Sequence, residues 1–285
     1  MYGRPTPEVS VVVPTWNSGP LLDRQLSALA SQIDPPRWEI LVADNGSTDG
    51  TPGVVAAWAA RGLAVRLVDA SRRRGASCAR NQGVDQATAP VLLFCDADDE
   101  VTPSWSSEML AGLGRFDVVG GRADRTSLNR RGSWTYPKEV PKRHPFVSAA
   151  SIAMRRQHFV DLGGFDESLV DGGEDIELCY RALQAGLTVG IVETAIYRSR
   201  ARAGARAAFA QAARDGRGTV HLVQLHGHEI IPRRSPAVLA SKIGWLATRA
   251  PAAVISGPYR TRWTYRLGHL TGLLQGWARF RTLAW

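Results

Sequence analysis

Four short apolar runs, the first three of them each followed by a stretch of helical character, constrain the fold of this chain more than any other feature. The runs lie at residues 9–13, 38–43, 64–68 and 91–95. The stretches after the first three lie at residues 21–33, 51–60 and 77–87. Alternating strands and helices with short connections predict an α/β fold with a mostly parallel sheet flanked by helices.

The pattern is less regular beyond residue 115. Residues 116–119 and 148–154 predict further strands, residues 155–162 predict a helix, and another helix is expected from Gly172 to Gly186. Residues 120–145 form a long connection rich in Arg, Gly and Pro. A connection of this length is usually functional or mobile.

Polar residues follow three of the four runs, at the point where each run ends. They are Pro14-Thr15, Asp44-Asn45 and Asp96-Ala97-Asp98. Because ligands of parallel α/β sheets collect at the carboxyl ends of the strands, these side chains are expected at one edge of one sheet. Their convergence is stronger evidence for a binding site than any of them alone.

The stretch Asp96-Ala97-Asp98-Asp99 carries three carboxylates that repel one another unless a cation lies among them. Mg²⁺ and Mn²⁺ prefer oxygen ligands, and they commonly bridge one or two carboxylates to substrate phosphates. The stretch therefore indicates a divalent-metal site. The alternative is a solvated acidic turn in which Asp99 or Thr102 caps the next helix, just before Pro103.

Composition places the chain among globular proteins. Its 285 residues, 44% of them hydrophobic, are enough for a full core. Three widely spaced cysteines predict buried thiols of a reducing compartment, without metal-ligand spacing. The polar start predicts no signal peptide, and no apolar run reaches the length of about 18 residues that a spanning helix needs. We therefore expect a cytoplasmic protein.

Six short motifs follow one another between residues 8 and 200. They are Val11-Val12-Val13-Pro14-Thr15-Trp16-Asn17, Asp44-Asn45-Gly46-Ser47-Thr48-Asp49-Gly50, Ala79-Arg80-Asn81-Gln82-Gly83, Asp96-Ala97-Asp98-Asp99, Gly163-Gly164-Phe165-Asp166-Glu167 and Glu174-Asp175. In this order and spacing the chain resembles the inverting GT-A glycosyltransferases of the large second family of nucleotide-sugar glycosyltransferases. The resemblance implies a GT-A (Rossmann-like) fold and a hexosyltransferase-like enzyme of polysaccharide or other glycan biosynthesis.

The resemblance implies a nucleotide-sugar site at the predicted sheet edge. Asp96 and Asp98 would hold Mg²⁺ or Mn²⁺, one carboxylate of this motif would lie near the ribose, and Asp44 would accept hydrogen bonds from the base. The residues implied to bind the nucleotide sugar are Pro14, Thr15, Asn17, Asp44, Asn45, Arg80, Asp96 and Arg198. An Asx turn with Gly46 is the alternative for Asp44, and whether Asp99 shares the metal stays open.

The resemblance also implies a catalytic base. Asp175 matches the carboxylate that takes the proton of the attacking hydroxyl, and a helix N-terminus keeps it ionised. One displacement at the anomeric carbon implies inversion. The alternative is that Glu174 and Asp175 only complement the helix dipole. Trp134 and Glu174 are weaker candidates for the acceptor side, and Glu177 is expected to be structural.

Two departures from the family are informative. Many relatives carry a metal-binding His about twenty residues after the Glu-Asp pair, where this chain has Arg198. Arg cannot bind a metal, so Arg198 is expected to bind the diphosphate and share the metal's role. The chain also lacks the Gln-x-x-Arg-Trp motif of processive synthases, since Asp215 follows Arg214. Addition of one or a few sugars is expected.

The charge is concentrated in a basic tail. Residues 198–285 contain 15 Lys and Arg and 2 Asp and Glu, whereas residues 1–197 contain 20 and 24. Arginines at 198, 200, 202, 206, 214 and 217 are expected along one helix, and tryptophans recur at 245, 263, 277 and 285. This composition predicts peripheral binding to an anionic membrane, where a lipid-linked acceptor would be found. The alternative is helices packed on the domain with solvated arginines.

The sequence therefore predicts a catalytic domain over residues 1–200 and a basic amphipathic helical extension over residues 201–285. The predicted partners are a nucleotide-sugar donor and a glycan or lipid-linked acceptor, and no nucleic acid is expected because no recognised binding motif is present. A dinucleotide-binding oxidoreductase is disfavoured, since Pro14-Thr15-Trp16-Asn17 replaces a Gly-rich turn after the first strand. The remaining alternative is a non-catalytic sugar-nucleotide or membrane-binding scaffold.

Overall fold

A computed structural model describes residues 6–129, 144–201, 204–233, 235–255 and 257–283. The chain divides into two compact units. The sheet unit comprises Met1–Ser127, Pro145–Val170 and Glu174–Arg200. The helical unit comprises Leu128–His144, Asp171–Gly173 and Ala201–Trp285.

Eight strands of the described sheet unit form one sheet. They are β1 (Val9–Thr15), β2 (Trp38–Asp44), β3 (Val65–Asp69), β4 (Val91–Cys95), β5 (Glu100–Val101), β6 (Val118–Asp124), β7 (Ser151–Arg155) and β8 (Val189–Arg198). The helices of this unit are α1 (Gly19–Ala30), α2 (Thr51–Ala60), α3 (Ala76–Asp85), α4 (Trp105–Gly112), α5 (Arg156–Asp161) and α6 (Glu174–Gln184).

The strand order in the sheet is β3-β2-β1-β4-β7-β6-β8-β5. Strands β3, β2, β1 and β4 are parallel, β7 is antiparallel to β4 and β6, β8 is parallel to β6, and β5 is antiparallel to β8. The predicted mostly parallel sheet flanked by helices is confirmed. Strand β8 and the two-residue β5 have no counterpart in the sequence-based prediction.

Strands β1, β2 and β4 are buried on both faces, which explains why they are almost uninterrupted apolar runs. On one face Leu22 and Leu26 of α1 and Trp105 of α4 pack against it. On the other face Ala79 of α3 and Leu178 of α6 belong to a second core.

Strand β1 continues through Pro14 to Thr15, although the sequence predicted that Pro14 would end it. The pairing of β1 with β4 ends at Val12, whereas the pairing with β2 runs on to Thr15 and Asp44. The missing N–H of Pro14 therefore lies where β1 has one neighbouring strand only, which a sheet tolerates. The extension carries Thr15 to the edge of the sheet.

The helical unit contains three long helices among its described residues: α7 (Ala205–His226), α8 (Pro236–Ile255) and α9 (Gly257–Phe280). Helices α7 and α9 pack closely through glycines, since a Cβ on Gly272 would clash with the backbone oxygen of Ala213. Asp171 accepts a hydrogen bond from Arg217 of α7 at 2.6 Å. Within the described residues, no helix is long and apolar enough to cross a membrane.

Candidate active site

The carboxyl ends of β1, β2 and β4 bring three of the sequence motifs to one edge of the sheet. Thr15 of β1 lies directly opposite Asp44 of β2, and β4, which ends at Cys95, pairs with the other side of β1. Thr15 is 4% exposed, and its hydroxyl has no hydrogen-bond partner among the described residues. A buried hydroxyl of this kind is available to a ligand that lies across the edge.

Asp44 forms a turn with Ser47, one residue beyond the Gly46 of the Asx turn that was its alternative role. Its Oδ1 atom accepts hydrogen bonds from the Ser47 backbone N–H at 3.0 Å and from the Ser47 hydroxyl at 2.5 Å. This Asx-type turn begins the loop between β2 and α2. The carboxylate is thereby held in one orientation at the strand end.

Asn45 uses its side chain to hold the loop after β3. Its Nδ2 atom donates to the carbonyls of Ala70 and Arg73 at 2.5 and 2.8 Å, and its Oδ1 accepts from the Gly75 N–H at 3.0 Å. Both amide hydrogens and the amide oxygen are thus engaged within the protein. Asn45 therefore supports the site through this loop.

Asn17 ties the end of β1 to the loop after β2. Its side-chain oxygen accepts from the Thr48 N–H at 2.8 Å, and its own N–H donates to the Ser47 hydroxyl at 2.8 Å. Asn17 adopts a positive φ of 49°, a conformation that Asn tolerates better than most residues. Next to it, the Arg74 guanidinium lies 4.9 Å from the centre of the Trp16 ring.

The acidic stretch is anchored from helix α1 by a residue that the sequence reasoning missed. Gln25 is fully buried, donates to the backbone oxygen of Asp96 at 3.1 Å and accepts from the Val101 N–H at 3.1 Å. The available signal was a polar residue within the apolar face of α1, between Leu22 and Leu26. A buried amide at such a position requires partners, and it finds them in this loop.

Arg80 of α3 joins two of the motifs. It is 3% exposed, and its Nη2 donates to Asp96 at 2.7 Å while its Nη1 donates to Glu174 of α6 at 3.0 Å. Its guanidinium also lies 5.4 Å from the centre of the Phe165 ring. The sequence placed Glu174 on the acceptor side, but this contact directs its carboxylate toward Arg80 and the acidic stretch.

Asn81 holds the neighbouring motif in place. Its side chain exchanges hydrogen bonds with the backbone of Phe165, donating at 2.9 Å and accepting at 3.0 Å, and it donates to Glu167 at 3.1 Å. Helix α3 lies close to the sheet here, because a Cβ on Gly83 would be 2.5 Å from a methyl group of Val12. The motif from 79 to 83 and the motif from 163 to 167 thus form one frame around Arg80.

Asp175 lies in the first turn of α6 and is 2% exposed. Its Oδ1 accepts from the Ile176 N–H at 2.9 Å, and its Oδ2 accepts from the Ala149 N–H at 3.4 Å. Glu177 is equally buried and pairs with Arg181, which also donates to the Gly164 carbonyl at 2.7 Å. The carboxylates of Asp175 and Glu177 therefore have different partners: Asp175 accepts from backbone N–H groups, whereas Glu177 forms a structural ion pair with Arg181.

Asp99 joins the acidic stretch to the end of β8. Its Oδ1 accepts from the Arg200 N–H at 3.0 Å, and the Arg200 guanidinium donates to Glu100 at 2.9 Å. Burial raises the pKa of Asp99 to about 8, and repulsion by Asp96 and Asp98 adds to the shift. Asp99 is not the cap of the next helix: α4 begins at Trp105 after Ser104.

Arg198 and Arg200 belong to the sheet unit, although the sequence analysis placed them on a helix of the basic tail. Arg198 is the last residue of β8 and lies in register with Glu100 of β5 and Asp124 of β6, whereas α7 begins only at Ala205. The cause is pairing between distant strands, which helical spacing does not reveal. Thr102 also contacts this strand, through two hydrogen bonds to the Ile196 carbonyl, and is not a helix cap.

The donor set at Asp96 and Asp98 fits a hard divalent cation. Among the described residues no group of three His, Cys, Asp or Glu side chains is arranged around a metal position. Mg²⁺ typically takes one or two protein carboxylates and completes its shell with waters and substrate phosphates. Two carboxylates at this edge of the sheet match that mode, and Arg80 supplies a fixed positive charge next to Asp96.

The remaining candidates are placed as follows. Pro14 is half-buried in β1, opposite Ala43 of β2. Trp134 lies outside the described residues. The three cysteines Cys78, Cys95 and Cys179 are all buried, and no disulfide joins them.

Comparison with protein families gives a match over more than half of the chain. The family described as Glycosyl transferase family 2 matches residues 10–162. The chain is 29% identical over 195 residues to Glycosyltransferase AglE of Haloferax volcanii, with 64% of each chain covered. It is 34% identical over 138 residues to Dodecaprenyl-phosphate galacturonate synthase of Rhizobium johnstonii, with 45% of this chain and 40% of that protein covered. These alignments span less than two thirds of either relative.

Among solved structures, the fold is similar to that of the mannosyltransferase PcManGT from Pyrobaculum calidifontis in complex with GDP-Man and Mn²⁺. The TM-score is 0.65 at 22% identity, and the match covers 95% of this chain and 87% of that chain. This likeness shows the fold, and the predicted GT-A architecture is confirmed.

Proposed function

The chain belongs to glycosyl transferase family 2, and from this premise we propose that it transfers a sugar from a nucleotide-diphosphate donor to an acceptor hydroxyl. The observation that carries the proposal is the meeting of Thr15, Asp44 and the acidic stretch at the ends of three adjacent strands. This edge is where α/β sheets bind nucleotides. The complex of the related mannosyltransferase with GDP-Man and Mn²⁺ supports a donor of this class.

In the proposed donor complex, the nucleoside lies along the strand ends, with the base at Asp44 and the ribose near Thr15. The rims of this site are fixed by Asn17 and Asn45 through the loops that they hold. Pro14 supplies a rigid surface at the end of β1. The diphosphate lies toward Asp96 and Asp98, and Arg198 at the end of β8 supplies a further positive charge for it.

A divalent ion would be held by Asp98 and Asp96. When bound, Mg²⁺ or Mn²⁺ neutralises the charge that develops on the diphosphate leaving group. Arg80 fixes the orientation of the Asp96 carboxylate, because its guanidinium donates to that carboxylate at 2.7 Å. Asp99 is occupied by the Arg200 N–H and acts by holding β5 against β8.

The proposed base is Asp175. Its backbone N–H partners and its position in the first turn of α6 favour an ionised carboxylate, which can accept the proton of the attacking hydroxyl. A single displacement opposite the leaving diphosphate gives inversion at the anomeric carbon. NMR of the product anomer tests this point directly, and retention of configuration contradicts it.

The proposed acceptor is a glycan or a lipid-linked sugar. The similarity to a dodecaprenyl-phosphate galacturonate synthase supports a lipid-linked class. The basic segment from 198 to 285 supports attachment to an anionic membrane surface, because it carries 15 Lys and Arg against 2 Asp and Glu.

Replacement of Asp98 by Asn tests the metal and donor sites together. We expect Mn²⁺ and a saturating nucleoside diphosphate to raise the Tm of the natural protein by about 5 °C, since a ligand at about 100 times its Kd contributes about 2.7 kcal/mol. The Asp98→Asn variant should lose the part of this shift that requires Mn²⁺. The measurement is a thermal-shift series with GDP, UDP and dTDP, with and without the ion.

Asp85→Asn is the matched control, because Asp85 is an exposed carboxylate on α3 outside the site. It should keep the full metal-dependent shift. An Asp98→Asn protein with an unchanged Mn²⁺ effect contradicts the assignment of the metal site. Binding of a nucleotide sugar without transfer to any glycan or lipid acceptor favours the non-catalytic scaffold instead.

A further inference from the structure

The helical unit contains a groove between α8 and α9 with an unusual combination of side chains. Its volume is about 430 Å³. The lining residues are Ala237, Val238, Ser241, Lys242, Trp245, Leu246, Arg266, His269, Leu270 and Leu273. One part of this groove is aliphatic and another is cationic and aromatic, which is the composition that an anionic amphiphile requires.

Two guanidinium groups converge on one indole ring in this groove. The Arg266 guanidinium lies 4.0 Å and that of Arg262 lies 5.4 Å from the centre of the Trp245 ring. The two arginines are four residues apart on α9, where like charges destabilise a helix. An anion placed beside them relieves this repulsion, and the indole ring holds both cations in position.

No internal carboxylate is available to this cationic cluster from its own segment. Residues 230–285 contain nine Lys and Arg and not one Asp or Glu. Within the described residues, neither Arg262 nor Arg266 forms an ion pair. Other arginines of the helical unit do have a carboxylate partner, since Asp171 pairs with Arg217 and lies 3.8 Å from Arg279. Arg262 and Arg266 at the Trp245 ring have no such carboxylate partner among the described residues.

Part of the apolar lining of the groove is exposed, since Val238 is 40% exposed. Elsewhere on the same two helices, Ile243 and Leu274 are 49% and 50% exposed. Buried instead, such side chains would each contribute about 1.5–3 kcal/mol, which makes their exposure costly. The acyl chains of a bilayer would cover these apolar side chains, while the arginines stay at the level of the lipid headgroups.

We propose that the α8–α9 groove binds an anionic phospholipid of a bilayer, with the headgroup phosphate at Arg262 and Arg266 and the acyl chains along Val238, Leu270 and Leu273. This inference deepens the membrane part of the proposed function and rests on it for the class of partner. The proposal assigns membrane binding to one defined site, in place of a diffuse electrostatic attraction between the whole basic segment and the membrane. Catalysis in the sheet unit does not depend on it.

The test is co-sedimentation of the full chain with phosphatidylcholine vesicles that contain or lack phosphatidylglycerol. The variant R262Q/R266Q removes the two charges at the Trp245 ring of the groove, and R233Q/R281Q removes two exposed charges away from it. If the charge acts diffusely, both pairs weaken binding equally. We expect the groove variant to lose at least about tenfold more affinity for the anionic vesicles than the control variant.

Three results of the vesicle assay overturn the proposal: equal losses in the two variants, absence of the natural protein from both pellets, and full displacement from vesicles by millimolar inorganic phosphate. The last result indicates a soluble-anion site. A groove variant that changes the sedimentation coefficient of the protein without lipid indicates a second copy as the occupant, and it also overturns the proposal. Donor binding, measured by thermal shift, should be unchanged in both variants, so a failure here is distinct from a failure of the proposed catalytic function.

Discussion

Replacement of Asp175 by Asn is expected to lower kcat by about 10² to 10⁴-fold, the range that a general base contributes. Asn keeps the size of the side chain and one oxygen that can accept the Ile176 N–H, which Asp175 bonds at 2.9 Å. It cannot take a proton. Donor affinity should change by less than about threefold, because the loss is confined to the transition state. Steady-state kinetics and a donor thermal shift measure the two quantities separately.

Glu177→Gln is the matched control, two residues away on the same helix. Glu177 is as buried as Asp175, at 2% exposure, but its partner is Arg181, which holds the turn at Gly164. This variant should lose about 1–3 kcal/mol of unfolding free energy and keep its kcat per folded molecule. If Asp175→Asn retains turnover, or if Glu177→Gln loses kcat in the same measure, the base assignment is wrong.

Local signals in the sequence predicted much of the sheet unit. Helix α2 and strand β4 have the predicted bounds, Thr51–Ala60 and Val91–Cys95, because each is a short segment whose own composition decides its conformation. The edge where Thr15, Asp44 and Asp96 meet followed from one rule about parallel sheets. The parts of the fold that are determined by residues close together in the sequence could therefore be predicted without the structure.

Pairing between strands that are far apart in the sequence could not be predicted from such local signals. Strand β8 lies between β6 and β5 in the sheet, and its last residue Arg198 was assigned to a helix because arginines recur at short spacing after it. Arg200 was assigned to the tail for the same reason, although its backbone N–H bonds Asp99. Gln25 carried a readable signal, a polar residue on an apolar helix face, but its partner in the Asp96 loop is 71 residues away.

Roles shared between motifs also required the structure. Arg80 was predicted to contact the nucleotide, on the basis of its position in one motif. Its guanidinium joins Asp96 of a second motif to Glu174 of a third, and Phe165 of a fourth lies beside it. The proposed donor and base sites are therefore coupled through one buried cation, and we infer that Arg80 positions both carboxylates rather than acting on the donor alone.

Replacement of Arg80 by Gln is expected to lower the unfolding free energy by about 2–4 kcal/mol, because it leaves two carboxylates in a partly buried site without their cation. The Glu174 and Asp96 side chains are 14% and 30% exposed, so solvent screens the second more than the first. Urea unfolding measures the change. Arg80→Lys should recover only part of the loss, since one ammonium group cannot replace a planar fork that serves two carboxylates.

The control is Arg72→Gln on the preceding loop. Arg72 pairs with Glu167 at 2.8 Å, but its side chain is 62% exposed, and an exposed pair of this kind contributes less than about 1 kcal/mol. The double variant Arg80→Gln with Glu174→Gln removes one of the stranded charges, and it should be more stable than Arg80→Gln alone. If the losses of unfolding free energy in Arg80→Gln and Glu174→Gln simply add up in the double variant, the pairing of Arg80 with Glu174 is contradicted. If the pairing holds, kcat also falls in Arg80→Gln while it stays unchanged in Arg72→Gln, because only the buried cation fixes Asp96 and the first turn of α6 together.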